Sequence, residues 1–238
     1  MDTIRAAAAA VTGSWHLRAA RNGQDAALAW IGEDAGAVVV CDGCSSGHSC
    51  EVGAKLGARL FLHALVACLA EASLAEAFAH ARAATARALG ALFDAAAIGE
   101  YALFTIVAAA VTRDEAGVWA LGDGAYSFGE RTHVLGPFAD NQPPYLGYDL
   151  LGAAPLARFE RAPADCRAIV VATDGASELA LEPFAADRFI EHPDALRRHL
   201  ALLARTSERI DWDERRVVRT AATCHDDVAV GVLRWRRS

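Results

Sequence analysis

The stretch Ala37-Val-Val-Val-Cys-Asp-Gly43 is an apolar run that ends in an aspartate followed by a glycine. Its β-branched residues favour a strand, and the turn-like residues 32–36 separate it from a second apolar run at residues 26–31. The two runs together predict a β-hairpin. Asp42 would then lie where a buried strand ends, and an ionised carboxylate there is costly unless something neutralises it.

The same context recurs at other places in the chain. Asp123 and Asp174 each follow an apolar run and precede a glycine, Asp226 comes shortly before the run at residues 228–232, and Asp25 lies between two short strand-like runs. A single aspartate of this kind is usually a turn residue. Several of them at strand boundaries favour a carboxylate site for hard cations such as Mg²⁺ or Mn²⁺, which take oxygen ligands.

The rest of the chain shows helical and strand patterns in groups. Apolar residues recur at helical spacing over residues 50–71 and 74–93, which predicts two antiparallel helices. We predict strands at 13–18, 102–112, 117–121, 125–129, 132–135, 155–161, 167–173 and 228–235. We also predict a frayed or helical lead-in at 6–10, a loop at 136–152, and helical pieces at 176–181 and 194–205. Strands grouped around helix pairs favour an α+β layered fold.

The composition excludes several classes of protein. The 238 residues are 54% hydrophobic with a net charge of −7, which suits one compact domain, or at most two small ones, and excludes disorder as the main state. No window has about eighteen uninterrupted apolar residues, so no membrane span is expected. The basic cluster Arg234, Arg236 and Arg237 is short for a nucleic-acid surface. The six cysteines are not spaced like a disulfide framework, which favours reduced thiols in a cytoplasmic protein.

In chain order, the acidic motifs resemble those of the metal-dependent type 2C protein serine/threonine phosphatases. The matching segments are Gln24-Asp25, Val38-Val-Val-Cys-Asp-Gly43, Leu121-Gly-Asp-Gly124, Ala172-Thr-Asp-Gly175 and His225-Asp-Asp-Val-Ala-Val230. The resemblance extends from about residue 13 to residue 235, and Gly13-Ser-Trp-His16 with Asn141-Gln-Pro-Pro-Tyr145 is most similar to a bacterial branch. It implies a single phosphatase domain over residues 1–238, with a central antiparallel β-sandwich flanked by antiparallel helix pairs in four layers, α-β-β-α.

The resemblance also implies a metal site. Two Mn²⁺ or Mg²⁺ ions would be held by the residues that match the family's ligands, with Asp42 as the bridge and Gly43 contributing its backbone carbonyl; the others are Asp174 and Asp226. Asp25 would hold metal-bound water. Asp123 would form a third, weaker ion site together with Asp174.

The activity that the resemblance implies is hydrolysis of phosphoserine and phosphothreonine by a water that bridges the two ions, so that Asp42 and Asp25 are the catalytic residues. The substrates would be phosphorylated proteins, and the enzyme would oppose a serine/threonine kinase in signalling. No nucleic-acid partner and no membrane partner is expected.

Three positions depart from the family pattern. Asp227 replaces the asparagine that is usual beside the last ligand, and so adds negative charge near the ions. Cys44 replaces a histidine that is proposed as general acid in some relatives, and His48 is close to it in sequence. Ala20 stands at the usual place of the arginine that binds phosphate. An arginine is favoured for that role because a guanidinium binds phosphate in bidentate fashion. The candidates are therefore Arg18, Arg21 and His16, with a slight preference for Arg18.

Other functions stay open at this stage. The chain could be a catalytically weakened module that binds phosphoproteins, or a metallohydrolase that acts on a small phosphate ester. Cys41, Cys44, His48 and Cys50 also outline a zinc site. Packing is the preferred role of Cys41, since no second pair of ligands follows downstream.

Overall fold

Antiparallel strand pairing dominates the structure, a computed structural model that describes residues 3–47, 49–192 and 194–236. Elements are numbered in chain order. One five-stranded sheet has the order β1-β12-β9-β6-β7. Its strands are β1 (Thr3–Val11), β6 (Gly124–Phe128), β7 (Arg131–Leu135), β9 (Ala168–Ala172) and β12 (Val228–Arg236). The first and last strands of the described chain are neighbours in this sheet.

The second sheet has the order β2-β3-β4-β5-β8 and is also antiparallel throughout. Its strands are β2 (Ala26–Ile31), β3 (Gly36–Gly43), β4 (Phe104–Val111), β5 (Ala116–Leu121) and β8 (Arg158–Arg161). The two sheets pack face to face. Val38 and Val40 of β3 contact the inner core between the sheets, whereas Val39 and Cys41 point to the opposite face, as the two-residue period of a strand requires.

Helices cover the outer face of the second sheet. The two long ones are α2 (Cys50–Cys68) and α3 (Leu74–Leu92), and shorter helices follow at α4 (Ala95–Tyr101) and α5 (Gly147–Leu150). Helix α3 begins with a capping box in which Ser73 and Glu76 satisfy each other's backbone N–H groups. The buried faces of α2 and α3 pack on β3, β4 and β5 around Phe61, Phe78 and Trp119.

The outer face of the first sheet has a smaller cover. Helices α6 (Asp187–Ile190) and α7 (Ala195–Leu203) pack on it through Phe189, Leu196 and Leu200. A two-stranded hairpin, β10 (Ser207–Asp211) and β11 (Arg216–Thr220), follows α7. The predicted α-β-β-α order is therefore confirmed, with the second helical layer much shorter than the first. None of the helices in the described segments is long and apolar enough to cross a membrane.

Several local predictions are wrong. Residues 6–10 are not a helical lead-in but part of β1, which pairs with β12 from Thr3 to Val11; this pairing overrides the helix propensity of alanine. Residues 13–18 are not a strand but include the short helix α1 (Ser14–Arg18). Residues 176–181 hold only the end of a 3-10 turn. The β10–β11 hairpin went unpredicted because its charged residues show no apolar run.

Candidate active site

Aspartates at four strand boundaries line one cleft at an end of the sandwich. Asp42 is near the end of β3, Asp123 lies between β5 and β6, Asp174 comes after β9, and Asp226 precedes β12. The cleft has a volume of ≈ 450 Å³ and is called the carboxylate cleft below. Its lining includes Asp42, Gly43, Cys44, Asp123, Asp140, Tyr145, Tyr148, Asp174, Asp226 and Asp227.

Asp25 lies beneath this cleft, directly before β2, and its side chain is buried. Its Oδ2 accepts a hydrogen bond of 2.6 Å from the hydroxyl of Thr173. Its Oδ1 is buried without a hydrogen-bond donor among the described residues. The carboxyl group of Asp25 is close enough to that of Asp42 to share a proton with it, and Asp42 has the same relation to Asp174.

Burial and mutual repulsion disfavour ionisation of this cluster. Burial raises the pKa of Asp25 and that of Asp42 well above the usual range, and neighbouring carboxylates raise both further. Burial, reinforced by Asp174, raises the pKa of Asp123 to about 6. Partial desolvation and the neighbouring Asp226 also raise the pKa of Asp174. Such a cluster is stable either when it is protonated or when a cation compensates its charge.

The donor set fits hard divalent cations. Two buried carboxylate oxygens, Oδ1 of Asp25 and Oδ1 of Asp123, have no hydrogen-bond partner in the described part of the chain. The residues described as lining the carboxylate cleft include six aspartates but no lysine, arginine or histidine. An all-oxygen set of this kind suits Mg²⁺ or Mn²⁺.

Close backbone packing explains two of the glycines that follow these aspartates. A Cβ at Gly43 would lie 2.9 Å from the carbonyl group of Cys50 at the start of α2. A Cβ at Gly175 would lie 1.9 Å from the carbonyl oxygen of Asp227. A side chain at either position would therefore push apart the segments that place the carboxylates.

Asp227 uses both carboxylate oxygens to hold the N-terminal segment. Its Oδ1 accepts the N–H of Gly13 at 2.7 Å, and its Oδ2 accepts the N–H of Gln24 at 2.5 Å. The same Oδ2 lies 2.8 Å from Nδ1 of His16. Asp227 is nevertheless near enough to Asp25 for its charge to raise the pKa of that residue.

His16 is buried on the side of α1 that faces Asp227. Each of His16, Asp226 and Asp227 has one potential metal-ligand atom, and these three atoms lie within 4.8 Å of one another. The ring of His16 is thus close to a predicted metal ligand, although its Nδ1 is already bonded to Asp227.

The structure does not bring Arg18 to the carboxylates. Arg18 lines a different groove, together with Leu17 of α1 and residues of α7. Arg21 is exposed just after α1, and its backbone N–H donates to the carbonyl of His16. Ala20, between the two arginines, has a positive φ of 52° that turns the chain at the end of the helix.

The cysteines do not form the zinc site considered above. Cys41 is fully buried in the apolar layer beneath α2. Among the described residues, His16, Asp226 and Asp227 are grouped closely enough to hold a metal ion, whereas no cluster of cysteines is. His48, the remaining candidate of that site and the neighbour of Cys44, lies outside the described residues.

Two contacts in the site were missed from the sequence. Thr173 orients Asp25, and its position directly before Asp174 was the available clue. Cys44 lies 3.0 Å from the hydroxyl of Ser46 and is hydrogen-bonded to Tyr145. Although burial opposes the change, these hydrogen bonds lower the pKa of the Cys44 thiol. The pairing of Cys44 with Tyr145 depends on the loop that follows β7, so no local pattern could reveal it.

Comparison with known proteins agrees with this geometry. A family model described as protein phosphatase 2C matches residues 12–215. That range contains Asp25, Asp42, Asp123 and Asp174, and it ends before Asp226. No curated protein sequence matches the chain.

Solved structures share the fold at low sequence identity. A bacterial serine phosphatase is 14% identical with a TM-score of 0.63, and the match covers 99% of each chain. RsbX in complex with magnesium is 10% identical with a TM-score of 0.55, covering 98% of this chain and 96% of that one. A sex-determining protein of C. elegans is 15% identical with a TM-score of 0.62; the match covers 99% of this chain but only 66% of that protein.

Proposed function

Because the chain belongs to the protein phosphatase 2C family, we propose that it is a metal-dependent phosphatase that hydrolyses phosphoserine and phosphothreonine in proteins. Its substrates are then phosphoproteins made by a serine/threonine kinase. We further propose that residues 1–238 act as one phosphatase domain, because the two sheets share a continuous core and strands β1 and β12 pair in one sheet.

The observation that supports this proposal most directly is the chemistry of the carboxylate cleft. Its six aspartates, with no basic residue among the described lining, would repel a phosphate dianion. A phosphate ester can bind there only if cations first reverse the sign of the local charge. The buried Oδ1 atoms of Asp25 and Asp123, which have no hydrogen-bond partner among the described residues, are available to bind such cations.

We assign the ligand roles to the residues of this cluster. Asp42, Asp174, Asp226 and the carbonyl of Gly43 would hold two Mn²⁺ or Mg²⁺ ions, and Asp123 with Asp174 a third. When bound, such ions supply Lewis acidity, which lowers the pKa of water and neutralises phosphate charge. Among the similar structures, RsbX was solved with magnesium.

The remaining residues position this set. Thr173 donates to Asp25 and fixes the direction of its free oxygen. Asp227 ties the backbone at Gly13 and Gln24 to the segment that contains Asp226. The carboxylates are thus pre-organised by groups that do not themselves need to bind an ion.

Arg21 is the best of the predicted phosphate-binding residues in this arrangement. Arg18 lines a different groove, and Nδ1 of His16 is bonded to Asp227. The neighbour of Arg21, Asn22, donates to Glu51 at the start of α2, and the loop before α2 lines the carboxylate cleft. This contact brings the chain next to Arg21 close to the start of α2, which supports the choice of Arg21.

Phosphate release tests the proposal. A phosphothreonine peptide and p-nitrophenyl phosphate are assayed with Mn²⁺, with Mg²⁺ and with EDTA. We expect metal-dependent turnover of the peptide and no turnover in EDTA. Turnover of only the small ester would make the chain a small-ester hydrolase, and metal binding without any turnover would make it a phosphoprotein-binding module.

Asp42→Asn provides the matched variant, with Asp140→Asn as its control. Asp42→Asn removes the charge at the centre of the cluster, so both metal binding by calorimetry and turnover should be lost. Asp140→Asn makes the same change at the exposed rim of the cleft and should keep both. Full activity of Asp42→Asn would refute the assignment.

A further inference from the structure

A second concave surface lies next to the carboxylate cleft, between α1, the end of β1 and α7. It has a volume of ≈ 550 Å³ and is called the arginine groove here. Its apolar floor includes the half-buried Val11 and the buried Ala204, and the exposed Leu17 and Ala201 lie beside them. Its charged residues are Arg18, Arg197 and Arg205. None of the described residues that line it is acidic, although the chain as a whole has a net charge of −7.

The positive charge of this groove is largely uncompensated. Arg197 makes a loose pair with Asp194 at 3.4 Å, and both side chains are more than half exposed, so the pair contributes little. For Arg18 and Arg205 the structure gives no side-chain hydrogen bond or ion pair with any described residue. The hydroxyl of Thr206, which also lines the groove, is buried and has no partner within the described ranges. Three guanidinium groups are thus available to an anionic ligand, and the buried hydroxyl of Thr206 lies behind them.

Helix α1 separates the arginine groove from the carboxylate cleft. Ser14, Leu17 and Arg18 are spaced three and four residues apart, so they share one helix face, and all three line the groove. His16 is on the opposite face and bonds Asp227, which lines the cleft. The two surfaces are therefore about one helix diameter apart, roughly 10–12 Å.

We propose that the arginine groove binds an acidic segment of the phosphoprotein substrate, with an apolar side chain of that segment on the floor and its carboxylates on the three arginines. An extended chain advances about 3.3 Å per residue. The acidic segment should therefore lie at least about three or four residues from the phosphorylated residue. This inference rests on the proposed phosphatase function and names its substrate class.

Binding of an unphosphorylated peptide tests the groove without any turnover. The probe is a fluorescent peptide with a leucine among four glutamates, titrated in EDTA at about 0.1 M salt, where charges are screened beyond about 10 Å. The test variant is Arg197→Glu/Arg205→Glu. The control is Arg59→Glu/Arg87→Glu, which makes the same charge change at exposed positions of α2 and α3, on the other side of the sandwich.

We expect the wild type and the control to bind equally and the test variant to bind at least about tenfold more weakly, which corresponds to about 1.4 kcal/mol. Equal binding by wild type and test variant, or an equal loss in the control, would overturn the proposal. So would binding of anionic lipid vesicles instead of the peptide, or a self-association of the wild type that the test variant abolishes.

Kinetics then connect the groove to the active site. For phosphopeptides whose acidic segment is three or four residues from the phosphorylated residue, the test variant should have a higher KM than the wild type and the same kcat. Turnover of p-nitrophenyl phosphate should stay the same. If KM does not depend on the acidic segment, the groove does not select substrate. If no substrate is turned over at all, the proposed function fails. The peptide titration still shows whether the arginine groove binds an acidic segment.

Discussion

Among single residues, Asp227 shows most clearly how local chemistry organises the site. It replaces an amide with a carboxylate, and both oxygens accept hydrogen bonds from backbone N–H groups of a distant segment. His16 adds a third contact. The charge is therefore used to hold the N-terminal segment and, with it, the neighbouring Asp25.

Asp227→Ala should destabilise the protein markedly. The change leaves the N–H groups of Gly13 and Gln24 buried without an acceptor, at a cost of about 1–3 kcal/mol for each group. Urea unfolding in EDTA measures the free energy of unfolding. Asp226→Ala serves as the control. It relieves the repulsion on Asp174 and leaves one N–H, that of Asp227, without its acceptor, so it should cost less than Asp227→Ala, which removes the acceptor of two. An equal loss of unfolding free energy in the two variants would contradict the role of Asp227 in holding the N-terminal segment.

Asp123 makes the stability of the metal-free protein depend on pH. Its pKa rises from 3.8 to about 6 on folding, mainly because of burial, so folding takes up a proton between these values. The stability that this proton provides is present below about pH 4 and is lost as the pH rises through about 6. The loss is at most about 3 kcal/mol at neutral pH.

Asp123→Asn removes the contribution of Asp123 to this dependence, while the contributions of Asp25, Asp42 and Asp174 remain. In EDTA at pH 7.5, the variant should be more stable to urea than the wild type, and the two should converge near pH 4. With Mn²⁺ the difference in stability between the variant and the wild type should become smaller or change sign, because an ion then compensates the charge of Asp123 in the wild type. A difference in EDTA that does not change with pH would show that the Asp123 carboxyl is not the titrating group.

At the scale of elements, the packing of α2 against α4 places the loop that lines the carboxylate cleft. Gly53 of α2 approaches the end of α4 so closely that a Cβ would lie 1.9 Å from the carbonyl oxygen of Tyr101. Gly99, within α4 itself, has open space around it. The two glycines are both helical but have opposite surroundings.

Gly53→Ala and Gly99→Ala should therefore have opposite effects. Gly53→Ala forces the two helices apart and should cost about 1–3 kcal/mol. Gly99→Ala should stabilise the protein by up to about 1 kcal/mol, because alanine has the higher helix propensity. Thermal and urea unfolding of the pair give both values. Stabilisation by Gly53→Ala would contradict the close contact between α2 and α4.

At the scale of the whole molecule, the first and last described strands complete the sheet next to Asp226, the last of the proposed ligands. Strand β1 pairs with β12 over its entire length, from Thr3 to Val11. Asp226, just before β12, lies beyond the range matched by the family model. The site therefore depends on segments from both ends of the chain as well as on the matched region.

Metal binding should accordingly stabilise the entire fold. A ligand at a hundred times its dissociation constant adds about 2.7 kcal/mol, which corresponds to a rise in Tm of roughly 5–10 °C for a chain of this size. Differential scanning fluorimetry with Mn²⁺, Mg²⁺ and EDTA measures the shift. Asp42→Asn should show no shift, and an equal shift in that variant would place the stabilising ion elsewhere.

Much of the fold was predictable because periodicity is a local property. The valine run of β3 and the helices predicted at 50–71 and 74–93 follow from apolar spacing, and the structure matches them. The α-β-β-α order is implied by the family resemblance rather than by this spacing. The charged β10–β11 hairpin and the alanine-rich β1 lack such a pattern. Strand β1 forms because β12 pairs with it, and this partner lies at the far end of the sequence. Strands β10 and β11 pair with each other across a short turn, without an apolar pattern to reveal them.

The sequence by itself determined which residue types are available to the site: an ordered set of aspartates at strand boundaries, among them Asp25, Asp42 and Asp174. Only the tertiary structure decided where the flanking groups lie. It placed Arg18 in a separate groove and directed Asp227 to the backbone of Gly13 and Gln24. It also buried one oxygen of Asp25 where no described residue donates a hydrogen bond to it. The physical reason is that residue spacing defines which face of an element a side chain occupies, whereas its neighbours depend on long-range packing.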